Sequence, residues 1–335
     1  MSNHTKIKII TALLWALACG LVAWTLTQLP LHEIANSISS LTTTQWILWS
    51  ALNLLIIVVL TWRWQVIAQA LNAQVNLWKL VLIKQAGQTV SFITPGPQFG
   101  GEPLQIYWLW KRCGLPLHKA LLSLGIDRFY ELWINFSVLL LGVFLLVFSP
   151  ALDSSAWQKM GGVLLILLVV LSLLGWLILR QPQWLSARFE RLARRWQEHP
   201  RLSRIESHWN ALGSDLRDAI RTQKPRLLLA VLLSVAGWIG LIGELALILA
   251  FMDVQLDLSG FILIIVAMRL ALLLPVPGGI GTLEASVIWS FQTLNLPASA
   301  AMGLIALMRL RDAVVLVAGL ACLRGLQHKS KPVQA

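Results

Sequence analysis

Six stretches of this chain are each apolar over the roughly 20 residues that an α-helix needs to cross a hydrocarbon core. They run from about Ile9 to Leu29, Trp46 to Trp62, Ala120 to Phe148, Gly161 to Leu179, Leu227 to Met252 and Ala298 to Leu323. Lipid offers the backbone no hydrogen bonds, so such stretches fold as helices that satisfy their own. Only 13% of the 335 residues are charged and 57% are hydrophobic, whereas about a quarter of the residues in a soluble domain carry charge. The chain is therefore expected to be an all-α polytopic membrane protein, a single transmembrane domain over residues 1–335.

The first stretch follows Lys6 and Lys8 but is too long for the core of a signal peptide, so it stands as the first span. The formal net charge of +12 would suggest nucleic acid in a soluble protein. Here the basic residues fill the gaps between apolar runs, where they orient the chain and meet anionic headgroups, and nucleic-acid binding is not expected. Cys19 and Cys322 lie in apolar runs and Cys113 lies beside Lys111 and Arg112, which suggests neither a disulfide nor a metal site. The six histidines are scattered, and the chain has no P-loop, H-E-x-x-H or G-x-S-x-G motif. No enzyme activity and no cofactor are expected.

Two more apolar stretches, about Leu77 to Trp110 and Leu258 to Leu294, are interrupted by proline and glycine. Their second legs are about a dozen residues long, too short to cross, so they read as re-entrant hairpins over 77–112 and 258–294. The turns carry Pro95, Gly96, Pro97, Gly100 and Gly101 in the first, and Pro275, Pro277, Gly278, Gly279 and Gly281 in the second. Loop cations fit this count. Lys6 and Lys8 place the N-terminus in the cytoplasm, and Arg63, Lys79, Lys84, Lys111, Arg112 and Lys119 surround the first hairpin on that side. The stretch from Arg180 to Arg226 is strongly basic and cytoplasmic, Asp253 and Asp257 accompany the second hairpin outside, and Arg324, Lys329 and Lys331 return the C-terminus to the cytoplasm. Trp46, Trp62 and Trp64 are expected at interfaces. Within 181–226, Leu185, Phe189, Leu192 and Trp196 form one amphipathic face, and Ile205, Trp209, Leu212, Leu216 and Ile220 form another. These basic helices either lie on the cytoplasmic leaflet or serve as a passive topology anchor.

The two hairpins belong to a repeat. Glu102, Leu115-Pro116 and Arg128-Phe-Tyr-Glu131 follow the first turn, as Glu284, Leu296-Pro297 and Arg309-Leu-Arg-Asp312 follow the second, and each Arg lies 12 positions after its Pro. Repeat one spans about 46–148 and repeat two about 227–325. Three spans separate the hairpins, so the repeats are inverted, which is the architecture of transporters whose broken helices meet at a midplane site. Glu102 and Glu284 fall in the first turn of the second legs, where a carboxylate caps free N–H groups. Arg128 and Arg309 lie roughly 13 and 16 Å into their helices and so reach the bilayer centre. A charge there needs a partner or a wet cavity. Glu131 and Asp312, at i+3, are the candidate partners, and the pairs read either as structural neutralisation or as guanidinium forks that also meet a lipid phosphate. Arg269 is a further candidate cation and Glu244 a protonatable group for coupling.

These residues resemble a known family. The Pro/Gly turn followed by Glu, the downstream Arg-x-x-acid and the run Leu274-Pro-Val-Pro-Gly-Gly-Ile-Gly-Thr-Leu-Glu284 look like the transmembrane region of lysylphosphatidylglycerol synthases and related stand-alone flippase-like proteins. The matching positions are Pro95, Gly100, Glu102, Arg128, Pro277, Gly278, Gly279, Gly281, Glu284 and Arg309. The resemblance implies a bacterial cytoplasmic-membrane protein that moves polar phospholipids, anionic or aminoacylated, between leaflets. A soluble aminoacyl-transferase domain is not seen after the last span. Two other readings remain open at this point: a membrane scaffold or regulator that docks a lipid or cell-envelope glycan synthase, and an ion-coupled exporter of a small anion.

Overall fold

The computed structural model describes residues 41–94, 100–148, 154–180, 203–274 and 276–328. The expected first span, the turn residues Pro95, Gly96, Pro97 and Pro275, the first basic amphipathic face and the tail cations Lys329 and Lys331 lie outside the described residues. Among the described residues every regular element is helical: α1 (Thr43–Ala70), α2 (Leu77–Ile93), α3 (Glu102–Cys113), α4 (Leu117–Val147), α5 (Ser154–Arg180), α6 (Ser203–Thr222), α7 (Lys224–Phe251), α8 (Leu258–Ala271), a 3-10 turn (Pro277–Gly279), α9 (Thr282–Thr293) and α10 (Ala298–His328). The chain is an all-α polytopic membrane protein. Four of these helices, α1, α4, α5 and α7, are long and apolar enough to cross a bilayer. The 31 residues of α10 are also long enough, but Arg309, Arg311 and Asp312 interrupt its apolar character.

The helix α1 continues past Trp62, where the apolar run ends, to Ala70. Polar side chains there are satisfied inside the protein: Gln65 donates to the Val75 carbonyl at 2.9 Å, and Arg63 is only 2% exposed. Asn72 then stops the helix in the left-handed conformation (φ 56°), with Ala73 N–H donating to Ala68 O. Arg63 is thus a buried helical residue and no loop cation, and Lys84 is buried in α2 as well. Trp62 is exposed, whereas Trp64 is fully enclosed by protein and does not face headgroups.

The described chain divides into two compact units, one holding residues to Val58, Val81–Gln105 and everything from Trp238, the other Val59–Leu80 and Ile106–Gly237. In the first unit α8 and α9 form a hairpin that packs on α10, and Ile264, Leu283, Val287, Phe291, Leu304 and Ile305 are buried among them. Asp257 caps α8 by accepting from Gly260 N–H at 3.0 Å and from the Ser259 hydroxyl, and these bonds hold its carboxyl below the usual carboxylate range. Between the legs, Gly278, Gly279 and Gly281 have φ of 59°, 62° and 84°. Such a run of left-handed residues is open to glycine and costs other residues about 1–2 kcal/mol each. Thr282 then bonds the carbonyls of Ala271 and Gly279, which ties the end of α8 to the turn.

The other hairpin also has a close backbone approach. The Gly101 backbone lies against the Gly87 carbonyl and donates its N–H to Ser91 Oγ at 2.9 Å. Gly319 brings α10 against Gln85 and Thr89 of α2, and the Phe92 ring rests on Gly278. The last described turn of the first leg therefore touches the turn of the second hairpin.

In the second unit α4 packs along α5, with the Phe129 ring over Gly175, and both helices pack on α6. Leu216 and Ala219 are the buried face of α6. His118 Nε2 at the start of α4 lies 3.3 Å from Asp215 of α6, and Arg226 donates to the Gln69 carbonyl at 3.0 Å.

Close approach at Gly101 sets a test. A Cβ there meets backbone that has to shift, so Gly101→Ala destabilises the folded protein by about 1–3 kcal/mol, whereas Gly125→Ala, with nothing within 4 Å, leaves the melting temperature in detergent unchanged or raises it. Equal melting temperatures for the two variants would contradict this packing.

Candidate functional site

The midpoint of α10 carries three charges within one turn, Arg309, Arg311 and Asp312. Helical spacing puts Arg309 and Asp312 on one face, and Arg309 Nη1 donates to Asp312 Oδ2 at 3.0 Å. The remaining Arg309 donors go to the second hairpin. Nε donates to Glu284 Oε1 at 2.6 Å, Nη1 to the Gly278 carbonyl at 3.0 Å and Nη2 to the Gly279 carbonyl at 3.2 Å. The Arg309 side chain is 6% exposed, so these acceptors hold a buried cation. The left-handed glycines now have a local reason, because their backbone turns two carbonyls toward a cation.

Glu284 does two things at once. Its Oε2 accepts from Gly281 N–H at 2.8 Å, capping α9, while Oε1 holds Arg309. In the first hairpin Glu102 Oε2 likewise accepts from Gly100 N–H, at 2.6 Å. A carboxylate in the first turn of each short leg, at its first residue for Glu102 and at N3 for Glu284, therefore closes the turn on itself.

Arg311, on the adjoining face of α10, donates to Glu244 Oε2 of α7 at 2.6 Å and lies 3.5 Å from Asp312. The other Glu244 oxygen accepts from Asn53 Nδ2 of α1 at 3.0 Å. Five charged groups thus form an alternating row, Glu244, Arg311, Asp312, Arg309, Glu284, that joins α1, α7, α9 and α10 in one unit. Arg269 stands over the Trp238 ring, 4.6 Å from its centroid, in a cation–π contact.

The second unit has its own set. Arg128 donates to Glu131 at 2.9 Å on α4, and Glu131 also lies 3.5 Å from Arg63 of α1. Arg63 Nε donates to Asp127 at 2.7 Å, with side chains 3% and 1% exposed, and its Nη1 reaches Ser234 Oγ of α7 at 3.5 Å. Both i+3 acids expected from sequence are thus within reach of their arginines. Four participants escape the sequence analysis: Arg63, Asp127, Asn53 and the partnership of Arg311 with Glu244. A continuous helix through Arg63 and an acid directly before Arg128 were the available signals, but partner choice across 64 and 67 residues is a product of packing.

Comparison with known proteins places the chain in a membrane-protein family. The family described as the lysylphosphatidylglycerol synthase TM region matches residues 9–319, and the chain belongs to that family. It is also similar to the UPF0104 membrane protein MJ1595 of Methanocaldococcus jannaschii, with 24% identity over 268 residues that cover 77% of each chain. No solved structure matches it.

The buried Arg63–Asp127 pair makes a direct prediction. Asp127→Ala removes the closest partner of a buried guanidinium and lowers stability by about 3–5 kcal/mol, whereas Ser234→Ala, whose buried hydroxyl bonds Ala230 O at 2.8 Å and meets Arg63 only at 3.5 Å, lowers it by about 1 kcal/mol. Thermal unfolding of the purified variants measures both, and a mild Asp127→Ala would contradict the pairing.

Proposed function

We propose that this protein moves a polar phospholipid, anionic or aminoacylated, between the leaflets of the membrane, with Arg309 gripping the second hairpin until a headgroup takes over its bonds. The supporting observation is the set of four hydrogen bonds from one buried guanidinium to an acid and two carbonyls of a glycine turn and to an acid of its own helix. A lipid phosphate offers the same bidentate acceptor geometry as a carboxylate. Binding one at Arg309 displaces turn carbonyls or Glu284, so headgroup entry and movement of the hairpin become a single event. Arg128 is the repeat-related cation. Membership of the lysylphosphatidylglycerol synthase membrane region family fits a lipid passenger. The hairpins are re-entrant from opposite sides, repeat one lies at about 46–148 and repeat two at about 227–325, and both termini face the cytoplasm.

Reconstituted vesicles with fluorescent and aminoacylated lipids test this. Arg309→Lys keeps the charge but not the fork, and translocation falls about tenfold or more, as loss of at least one transition-state contact requires. Translocation at the wild-type rate would remove Arg309 from the mechanism. With native cysteines replaced by serine, single cysteines at Asn76 and Leu258, before the two hairpins, label from opposite faces. Labelling of both from one face would refute inverted hairpins.

A further inference from the structure

The alternating row in the first unit holds three acids, Glu244, Asp312 and Glu284, against two bases, Arg311 and Arg309. Fully ionised, it sums to −1. The other arginine set is balanced, with Arg63 and Arg128 against Asp127 and Glu131. Among the described residues the ion pairs of these three acids run to Arg309 and Arg311, while Arg269 of α8 stacks on Trp238. Glu102 of α3 caps its own turn. Uncompensated charge inside a membrane protein is costly.

We propose that this row takes up one proton, seated on Asp312, and that its uptake and release drive the lipid movement inferred above, on which this step rests. Geometry selects the carboxyl. Glu244 is held by Arg311 at 2.6 Å and by Asn53 at 3.0 Å, and Glu284 by Arg309 at 2.6 Å and by the Gly281 N–H at 2.8 Å. Asp312 shares the same two arginines at longer range, 3.0 and 3.5 Å. A proton suits this place better than a cationic headgroup. It needs no room, and the Phe92 ring covers the turn beside Arg309. With the proton on, the row is neutral and closed. When the proton leaves, Asp312 competes with Glu284 for Arg309, which loosens the hairpin that the guanidinium fastens.

Infrared difference spectroscopy on the full-length protein in lipid nanodiscs reads the carbonyl band of a protonated carboxylic acid. The wild type is expected to show one such group per row at neutral pH. Asp312→Asn, Glu244→Gln or Glu284→Gln each balance the row and abolish the band, Arg311→Gln increases it, and Glu131→Gln in the other set leaves it unchanged. In vesicles, an imposed pH gradient accelerates wild-type translocation severalfold and leaves Asp312→Asn without a response. Absence of the band in the wild type overturns the proposal, as does acceleration by a sodium gradient alone. A band that follows the charge count in a protein that moves no lipid would leave the proton site standing and remove the translocation reading.

Discussion

Charge inside a bilayer has to be matched by the protein, and the bond between Arg309 and Glu284 is where this chain meets that requirement most tightly. A guanidinium halfway along α10 would oppose insertion of the helix if left alone. Glu284 and the Gly278 and Gly279 carbonyls remove that penalty by bringing the second hairpin to the helix. The hairpin in turn is fastened at its turn by the arginine, while Leu283, Val287 and Phe291 pack its second leg into the core. Each element thus contributes to the stability of the other.

Around that bond the helices are organised by close approach as well as by charge. Glycines at 87, 101, 278 and 319 let backbones and rings meet where any side chain would intrude. Small residues serve this purpose in membranes, where apolar burial between helices gains little over lipid and packing carries more of the association energy. Contact between Phe92, in the first leg of one hairpin, and Gly278, in the turn of the other, links the two hairpins directly.

Much of this was legible in the sequence, for identifiable physical reasons. Apolar length fixes helices, so α4, α5, α7 and α10 lie close to where hydropathy places them. Proline, glycine and short legs mark the hairpins, and Arg128 and Arg309 stand out as charges too deep to be loop residues. The glutamates were legible as caps, but the second role of Glu284, holding Arg309 across 25 residues, was not. Arg63 was misread as a loop cation because the apolar run ends at Trp62 while the helix continues for two more turns. Its partner Asp127 sits beside Arg128 in the chain, and sequence alone gives no way to see that the two acids of α4 divide between two arginines. Glu244 was legible as a buried titratable group, whereas its bonds to Arg311 and Asn53 emerge only when α1, α7 and α10 are packed together.

The account stands on one mutual dependence, which a double-mutant cycle measures most directly. Thermal unfolding of the wild type, Arg309→Gln, Glu284→Gln and the double variant in the same nanodiscs gives the coupling energy of the pair. The structure predicts that the two losses are strongly non-additive, with a coupling of about 1–3 kcal/mol as expected for contacting charges. Losses that add to within about 0.5 kcal/mol would show that helix and hairpin stand independently and would contradict the account at its foundation.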